Sequence, residues 1–384
     1  MTVASRVRQA LPAFALAAAS LAILALLLEV ALRLFWGGYY EKFDPNRPFG
    51  EYEVHPVRGL VLAPNIERFD WNREYQVWRR HNSLGFRGPE IAIEKPPGRT
   101  RVLVLGDSMT YGVGVEYEET FGAVLETLAP RLQVINTGVP GYCGEQQLLL
   151  LEEFIRRLSP DVVLVAYFWN DLWAPFQGSL RRFVMRDGAL QRIQHEPITA
   201  QHPAFARLRE KHEQRLRGYG FLTYQSHLYR FLSDRFKLLG YAIRDLRGEA
   251  TEVERGGELD ESEEAAAWEL SYALLRAQRD LAHAHGARFV VLVVPDQVQV
   301  EPDVKVYEVP RVLWGIQEHV VGFARREGIP VIDPLETMRA IREREGVPQY
   351  HRIDRHWNRV GHRRMAEVLL AELRRLAILP PPAG

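Results

Sequence analysis

An apolar, strand-like run, Val102-Leu103-Val104-Leu105, breaks abruptly into Gly106-Asp107-Ser108-Met109-Thr110-Tyr111-Gly112, and a helical pattern begins soon after. Ser108 therefore falls at the carboxyl end of a strand, where open α/β sheets gather their active sites. Gly106 permits a tight turn, Asp107 can accept loose backbone N–H groups, and Ser108 offers a hydroxyl that becomes a nucleophile if a base takes its proton. Taken alone, the tripeptide reads more readily as an ordinary turn with a capping serine. Three further groups change that: Asn136-x-Gly138-x-x-Gly141, Asn170-Asp171, and Asp354-x-His356 followed by Asn358 and Gly361-His362. Attack on an ester carbonyl needs a base for the serine proton and fixed donors for the oxyanion. A histidine, a carboxylate and several glycine- or asparagine-borne N–H groups are the residue types that supply them.

Together and in this order, the four blocks resemble the SGNH hydrolase superfamily, also called GDSL esterases. The resemblance covers about Arg101 to Leu376 with a large interruption and leaves the first hundred residues outside it. It implies that Ser108 is the nucleophile, His356 its general base, and Asp354 the group that holds the imidazole tautomer and stabilises the imidazolium. It also implies an oxyanion hole made of the Ser108 backbone N–H, the Gly141 N–H and the Asn170 side-chain amide. An Asp-x-His spacing brings the carboxylate to the ring only on an irregular loop, because on a strand the Asp has no reason to reach the far nitrogen.

Two departures stand out. Many family members carry Gly two residues before the Asn of the third block, where this chain has Phe168, followed by Trp169; the bulk points to a different acyl pocket or a displaced Asn170. The Asp lies two residues before the His rather than three, a spacing associated with membrane-linked and polysaccharide-modifying branches. Tyr111 and Tyr142 fit cleft lining and packing equally well.

From Arg101 onward, strand and helix patterns alternate, as in a parallel sheet covered on both faces. The expected strands are 102–105, 132–136, 162–167, 289–294 and 331–332, with helices over 118–128, 145–158, 261–285, 309–327, 335–344 and from about His362 to Leu376. The fold class expected is α/β: a three-layer α/β/α domain with a mostly parallel, flavodoxin-like five-stranded sheet. One N-terminal transmembrane helix and a small β-rich subdomain precede it.

Residues 11–28 carry no charge, and about 18 residues at 1.5 Å each reach about 27 Å, close to one hydrocarbon thickness. An uncleaved signal anchor over 11–34 is the reading preferred to a cleaved signal, since no small-x-small site follows the apolar core, and to a buried helix. Arg33, Trp36, Tyr39 and Tyr40 would meet the headgroups. Arg6 and Arg8 before the span and Arg33, Lys42 and Arg47 after it leave orientation undecided by charge. A catalytic domain outside the cytoplasm is expected from the anchor and the resemblance. Residues 35–100 read as a small β-rich subdomain and linker, with strands at 59–62 and 75–78 and Phe86 in a close-approaching loop. Residues 101–376 form the hydrolase-like domain, interrupted at about 172–260 by an insertion that fits a lid or a merely decorative helical subdomain. Residues 1–10 and 377–384 are tails.

Across its 384 residues the chain has 49 basic and 49 acidic side chains, so bulk charge gives no sign of a nucleic-acid partner. A single cysteine, Cys143, rules out an internal disulfide and a cysteine metal cage. No cofactor is expected. His351, His356, His362 and Asp354 invite a metal reading, but nothing in their spacing sets them on one face, and it would leave the other blocks unexplained. The preferred function is a membrane-anchored serine esterase or O-acyltransferase acting on acetyl or other short acyl esters, with a glycan outside the cytoplasm as substrate. The alternative is a non-catalytic binding or scaffold component of a cell-envelope polysaccharide assembly.

Overall fold

The computed structural model describes residues 3–36, 47–72, 74–172, 180–193, 196–217, 226–246, 259–301 and 311–379. Tyr39, Tyr40, the aromatic run 221–224, Gly256-Gly257 and the first residues of the helix expected from Val309 lie outside them.

The chain opens with α1 (Val3–Trp36), followed by strands β1 (Tyr52–His55), β2 (Gly59–Leu62), β3 (Glu67–Trp71) and β4 (Gln76–Arg80). Next come β5 (Thr100–Leu105), the single turn α2 (Ser108–Tyr111), α3 (Phe121–Leu128), β6 (Leu132–Asn136), α4 (Gly144–Leu158) and β7 (Val162–Tyr167). The expected insertion contributes β8 (Phe183–Arg186), β9 (Ala189–Arg192), α5 (Ala206–Leu216) and α6 (His227–Leu246). The remainder is α7 (Glu261–Ala284), β10 (Arg288–Val293), α8 (Gln297–Val300), α9 (Val312–Arg326), β11 (Val331–Ile332), α10 (Leu335–Glu345) and α11 (Arg359–Arg375).

These elements fall into two compact units, residues 1–50 with 207–250, and residues 51–206 with 251–384. In the first, Pro12–Phe35 is the one segment among the described residues long and apolar enough to cross a membrane, with a mean hydropathy of 2.4. Glu29 breaks its apolar run, and its carboxylate accepts the Ser226 hydroxyl and the N–H groups of His227 and Leu228, closing the start of α6. A carboxylate there satisfies N–H groups that have no partner within the helix.

In the second unit, five strands pair in the order β11-β10-β7-β5-β6, all parallel. In sequence order this is 2-1-3-4-5, and the order reverses between β5 and β7, where such sheets open a crevice. Burial on both faces explains the unbroken Val162-Val163-Leu164-Val165-Ala166-Tyr167 run. Alternate side chains separate the two cores. Leu103, Leu105, Val163 and Val165 pack with Phe154 of α4, Leu275 of α7 and Val320 of α9. Val102, Val104, Val162 and Leu164 pack with Leu125 of α3 and Leu369 of α11. Each fully buried Leu or Val contributes about 1.5–3 kcal/mol, so the sheet is a stiff base for the loops at its carboxyl edge.

Residues 51–80 form two antiparallel hairpins, β1–β2 and β3–β4. In the segment after them, Phe86 packs its ring 4.9 Å from that of Phe154. Arg87, only 2% exposed, donates to the carbonyls of Tyr111 and Gly112 through one nitrogen and to Val115 through the other. Further along, β8 and β9 pair as an antiparallel hairpin, whose Phe183 packs with Leu148, Leu149, Leu270 and Leu274. The buried Glu145 carboxylate accepts the N–H groups of Arg182 and Phe183.

Candidate active site

The turn after β5 is built by Asp107, whose Oδ1 accepts the Met109 N–H at 2.9 Å and starts α2. Ser108, the first residue of that turn, is half-buried at the carboxyl edge of the sheet. The loop after β6 lies directly on α2. Asn136 Nδ2 donates to the Thr110 carbonyl at 2.7 Å, the Val139 N–H donates to the Gly106 carbonyl at 3.2 Å, and a Cβ on Gly138 would stand 2.4 Å from the Tyr111 nitrogen. Only glycine tolerates that approach. Gly141 closes the loop at a φ of 82° and is exposed. Among the described residues, neither its N–H nor that of Ser108 has a protein acceptor.

His356 and Asp354 arrive from the other end of the chain. The segment between α10 and α11 is irregular, and Arg355 at φ 70° turns the backbone between them. This left-handed residue folds the carboxylate back along the ring, so that Asp354 Oδ1 lies 2.5 Å from His356 Nδ1. With Nδ1 donating to a carboxylate, Nε2 is the acceptor, and it lies 2.7 Å from the Ser108 hydroxyl oxygen. Burial raises the Asp354 pKa, but the bond to His356, that ring's charge and the Tyr75 hydroxyl together hold the carboxyl below its ordinary value. The same contacts favour the charged form of the carboxyl beside the ring.

The third block folds at the end of β7. Asn170 Nδ2 donates to Asp107 Oδ2 at 2.7 Å, while its Oδ1 is buried without a partner among the described residues. The second amide hydrogen has no acceptor among the described residues. Asp171 closes its own turn by accepting the Phe168 N–H, and it anchors Gln147 of α4. Burial pushes both Asp107 and Asp171 above the ordinary carboxyl range, and each accepts N–H donors that favour the charge.

Phe168 and Trp169 leave Asn170 facing Asp107. The Trp169 indole instead donates to Asp296 Oδ2 at 3.2 Å, and Arg355 donates to Asp296 Oδ1 at 2.6 Å. Asp296 therefore ties the end of β7 to the loop carrying the histidine. The short motifs gave no signal for it. Tyr111 and Tyr142 are packing residues: Tyr111 is fully buried, its hydroxyl 2.9 Å from His81 Nε2, and Tyr142 donates to the Leu60 carbonyl at 3.0 Å. The other two histidines of the last block are structural. His351 Nε2 donates to the Gly114 carbonyl at 3.1 Å, and the buried His362 accepts the Phe121 N–H at 3.2 Å, braced by the Phe121 ring. Burial holds the His362 pKa well below its usual value. Among the described residues no group of three His, Cys, Asp or Glu side chains could hold a metal ion. Cys143 precedes α4, 2% exposed, its thiol donating to Gln146 Oε1 at 2.8 Å and its pKa pushed up by burial.

No curated protein matches the chain at the sequence level. Similar solved structures include a lipolytic protein of the G-D-S-L family from Desulfitobacterium hafniense, 11% identical, with a TM-score of 0.40 over 72% of this chain and 100% of that one. A GDSL-like lipase from Bacteroides thetaiotaomicron is 13% identical, with a TM-score of 0.40 over 74% and 93% of the two chains. An acetyl xylan esterase is 12% identical, with a TM-score of 0.37 over 71% and 98%. The sequence profile described as GDSL-like lipase/acylhydrolase matches residues 104–364, well over half the chain, and takes in all four blocks. With Ser108, Asn170, Asp354 and His356 converging at one sheet edge within that match, the chain is an ester-bond hydrolase and belongs to the GDSL-like lipase/acylhydrolase family.

Proposed function

We propose that the protein is a membrane-anchored serine esterase or O-acyltransferase that handles acetyl or other short acyl esters of a glycan outside the cytoplasm. The observation that carries the catalytic part is the hydrogen-bonded line from Asp354 through His356 to Ser108, at 2.5 and 2.7 Å. His356 Nε2 takes the hydroxyl proton as Ser108 Oγ bonds to the acyl carbon, and the carbonyl electron pair moves onto oxygen. The oxyanion meets the unused N–H groups of Ser108 and Gly141 and the free hydrogen of the Asn170 amide. Collapse expels the alcohol oxygen, which takes the proton from the imidazolium and leaves acyl-Ser108. Water or a sugar hydroxyl then repeats the sequence in reverse, giving up its proton to His356. Hydrolysis and transfer thus share one set of groups.

The anchor is supported by the exposed apolar Pro12–Phe35 segment, and the glycan by the Asp-x-His spacing together with that anchor. The test uses the full chain in detergent or lipid discs with short aryl esters and acetylated oligosaccharides. Turnover and fluorophosphonate labelling are expected for the parent, and Ser108→Ala is expected to lose both. Full turnover by Ser108→Ala would overturn the catalytic reading, and turnover of aryl esters without any acetylated sugar would overturn the substrate class.

A further inference from the structure

We infer that the β3–β4 hairpin, which lies outside the family match, completes the active site, with Glu74 and Tyr75 as positioning residues for the Asp354 carboxylate. The inference rests on the catalytic reading of Ser108, His356 and Asp354. The hairpin turn is drawn tight by Asn72, whose Oδ1 accepts the N–H groups of Glu74 and Tyr75 at 2.7 and 3.0 Å, and whose own N–H donates to the Tyr75 carbonyl at 2.9 Å. The two residues it presents grip the opposite loop at different levels. The Glu74 carboxylate takes the backbone, accepting the Ile353 N–H at 3.0 Å and the Asp354 N–H at 2.8 Å. The Tyr75 hydroxyl takes the side chain, donating to Asp354 Oδ2 at 3.1 Å.

Oδ2 is the oxygen that His356 does not use, so each carboxylate oxygen has one donor and the group cannot rotate about its own axis. The loop's own backbone bonds, from the His351 N–H to the His356 carbonyl at 2.8 Å and from the Arg355 N–H to the His351 carbonyl at 3.0 Å, fix its path around the left-handed Arg355, and the hairpin adds the contacts that reach the Asp354 carboxylate itself. The Tyr75 ring also lies 5.0 Å from that of His351, tilted by 56°, and His351 donates to the Gly114 carbonyl just beyond α2. The hairpin thus bridges the loop of the base and the turn of the nucleophile. Groups held by a second layer of hydrogen bonds keep the geometry that catalysis requires. The ionisable groups facing Asp354 and His356 are Glu74 and Tyr75 from the hairpin, His351 from their own loop, Asp107 from the serine turn and His362 from α11. Burial first, then the Asp354 charge, pushes the Tyr75 hydroxyl above its usual range, so it remains a donor at every workable pH.

The experiment compares Tyr75→Phe, Glu74→Gln and Glu74→Ala with the parent in the full chain, following kcat, KM, the pH profile of kcat/KM and thermal melting. Tyr75→Phe keeps the ring and removes one donor to a charged acceptor, so kcat is expected to fall about tenfold with KM within twofold. The lost donor concentrates carboxylate charge on the imidazolium, so the acid limb of kcat/KM moves to higher pH. Glu74→Gln, which keeps an acceptor oxygen, is expected to retain more activity than Glu74→Ala at equal melting temperature. A Tyr75→Phe enzyme with parental kcat and a superimposable pH profile would overturn the inference, as would Glu74→Ala at parental kcat. If Ser108→Ala is inactive while these variants match the parent, the hairpin inference alone fails; if Ser108→Ala is active, the catalytic reading fails first.

Discussion

Replacing Asp107 by Asn separates the charge of the Gly-Asp-Ser turn from its shape. The carboxylate is fully buried and accepts from two donors, the Met109 N–H at 2.9 Å and the Asn170 amide at 2.7 Å. An Asn at 107 offers one acceptor and one donor to this pair of donors. If its oxygen keeps the Met109 N–H and starts α2, its NH₂ confronts that of Asn170, which must rotate and present its oxygen where an N–H stood. The oxyanion then loses one of three donors and meets an acceptor in its place, a loss worth about 10²–10³ in kcat, or about 2.7–4 kcal/mol. Stability should change little. The bonds given up are worth about 1.5–3 kcal/mol each when charged, but the variant also removes a buried charge that burial disfavours.

The pH dependence gives an independent reading. Burial raises the Asp107 pKa in the folded state above its ordinary value of 3.8. Its contribution is therefore fully present below that value and lost as pH rises through the folded pKa. Asp107→Asn removes this decline, so its stability relative to the parent should improve as pH rises from acid towards neutral. Initial rates on a short aryl acetate, with melts across that range, measure both effects. A kcat/KM within threefold of the parent would refute the Asn170 argument, and parallel stability profiles would refute the burial argument.

Arg87→Met removes the donors to the Tyr111, Gly112 and Val115 carbonyls from a site 2% exposed. It is expected to lower stability by about 3–5 kcal/mol in a denaturant titration, since three buried carbonyls lose a charged donor and the Gly112 carbonyl keeps only the long bond from the Val115 N–H. Gly138→Ala places a methyl 2.4 Å from the Tyr111 nitrogen, forcing the loop of Gly141 away from α2. It is expected to destabilise by about 1–3 kcal/mol and to lower kcat more than it raises KM, as measured by melting and steady-state rates.

The sheet was legible wherever burial on both faces demanded an unbroken apolar run. Leu132–Asn136, Val162–Tyr167 and Val331–Ile332 stand at their expected bounds. β1 and β3 were not anticipated, because Glu53, Glu67, Arg68 and Asp70 break any apolar pattern and their pairing is set by the hairpins. β8 and β9 were hidden for a similar reason: with Arg186, Gln191 and Arg192 facing outward, only Phe183 is deeply buried. At the site, residues within short motifs could be named because the motif itself is the chemistry. Glu74, Tyr75 and Asp296 could not, since each is an ordinary side chain locally and gains its role only when distant loops meet. Phe168 and Trp169 pointed to a different acyl pocket or a displaced Asn170. The Trp169 indole found Asp296 instead, and Asn170 kept its bond to Asp107.

The burial of Cys143 makes the folded chain chemically blank towards thiol reagents. It is the single cysteine, 2% exposed, with its proton held towards Gln146 and its pKa raised, so little thiolate exists to react. A cysteine introduced at exposed Val347, or in separate variants ahead of the apolar helix, would then be the only reactive thiol in the native protein. A maleimide that cannot cross bilayers would report directly on which side of the membrane each position stands. No background cysteine need be removed first, so the native sequence is already a clean canvas for mapping topology in intact cells.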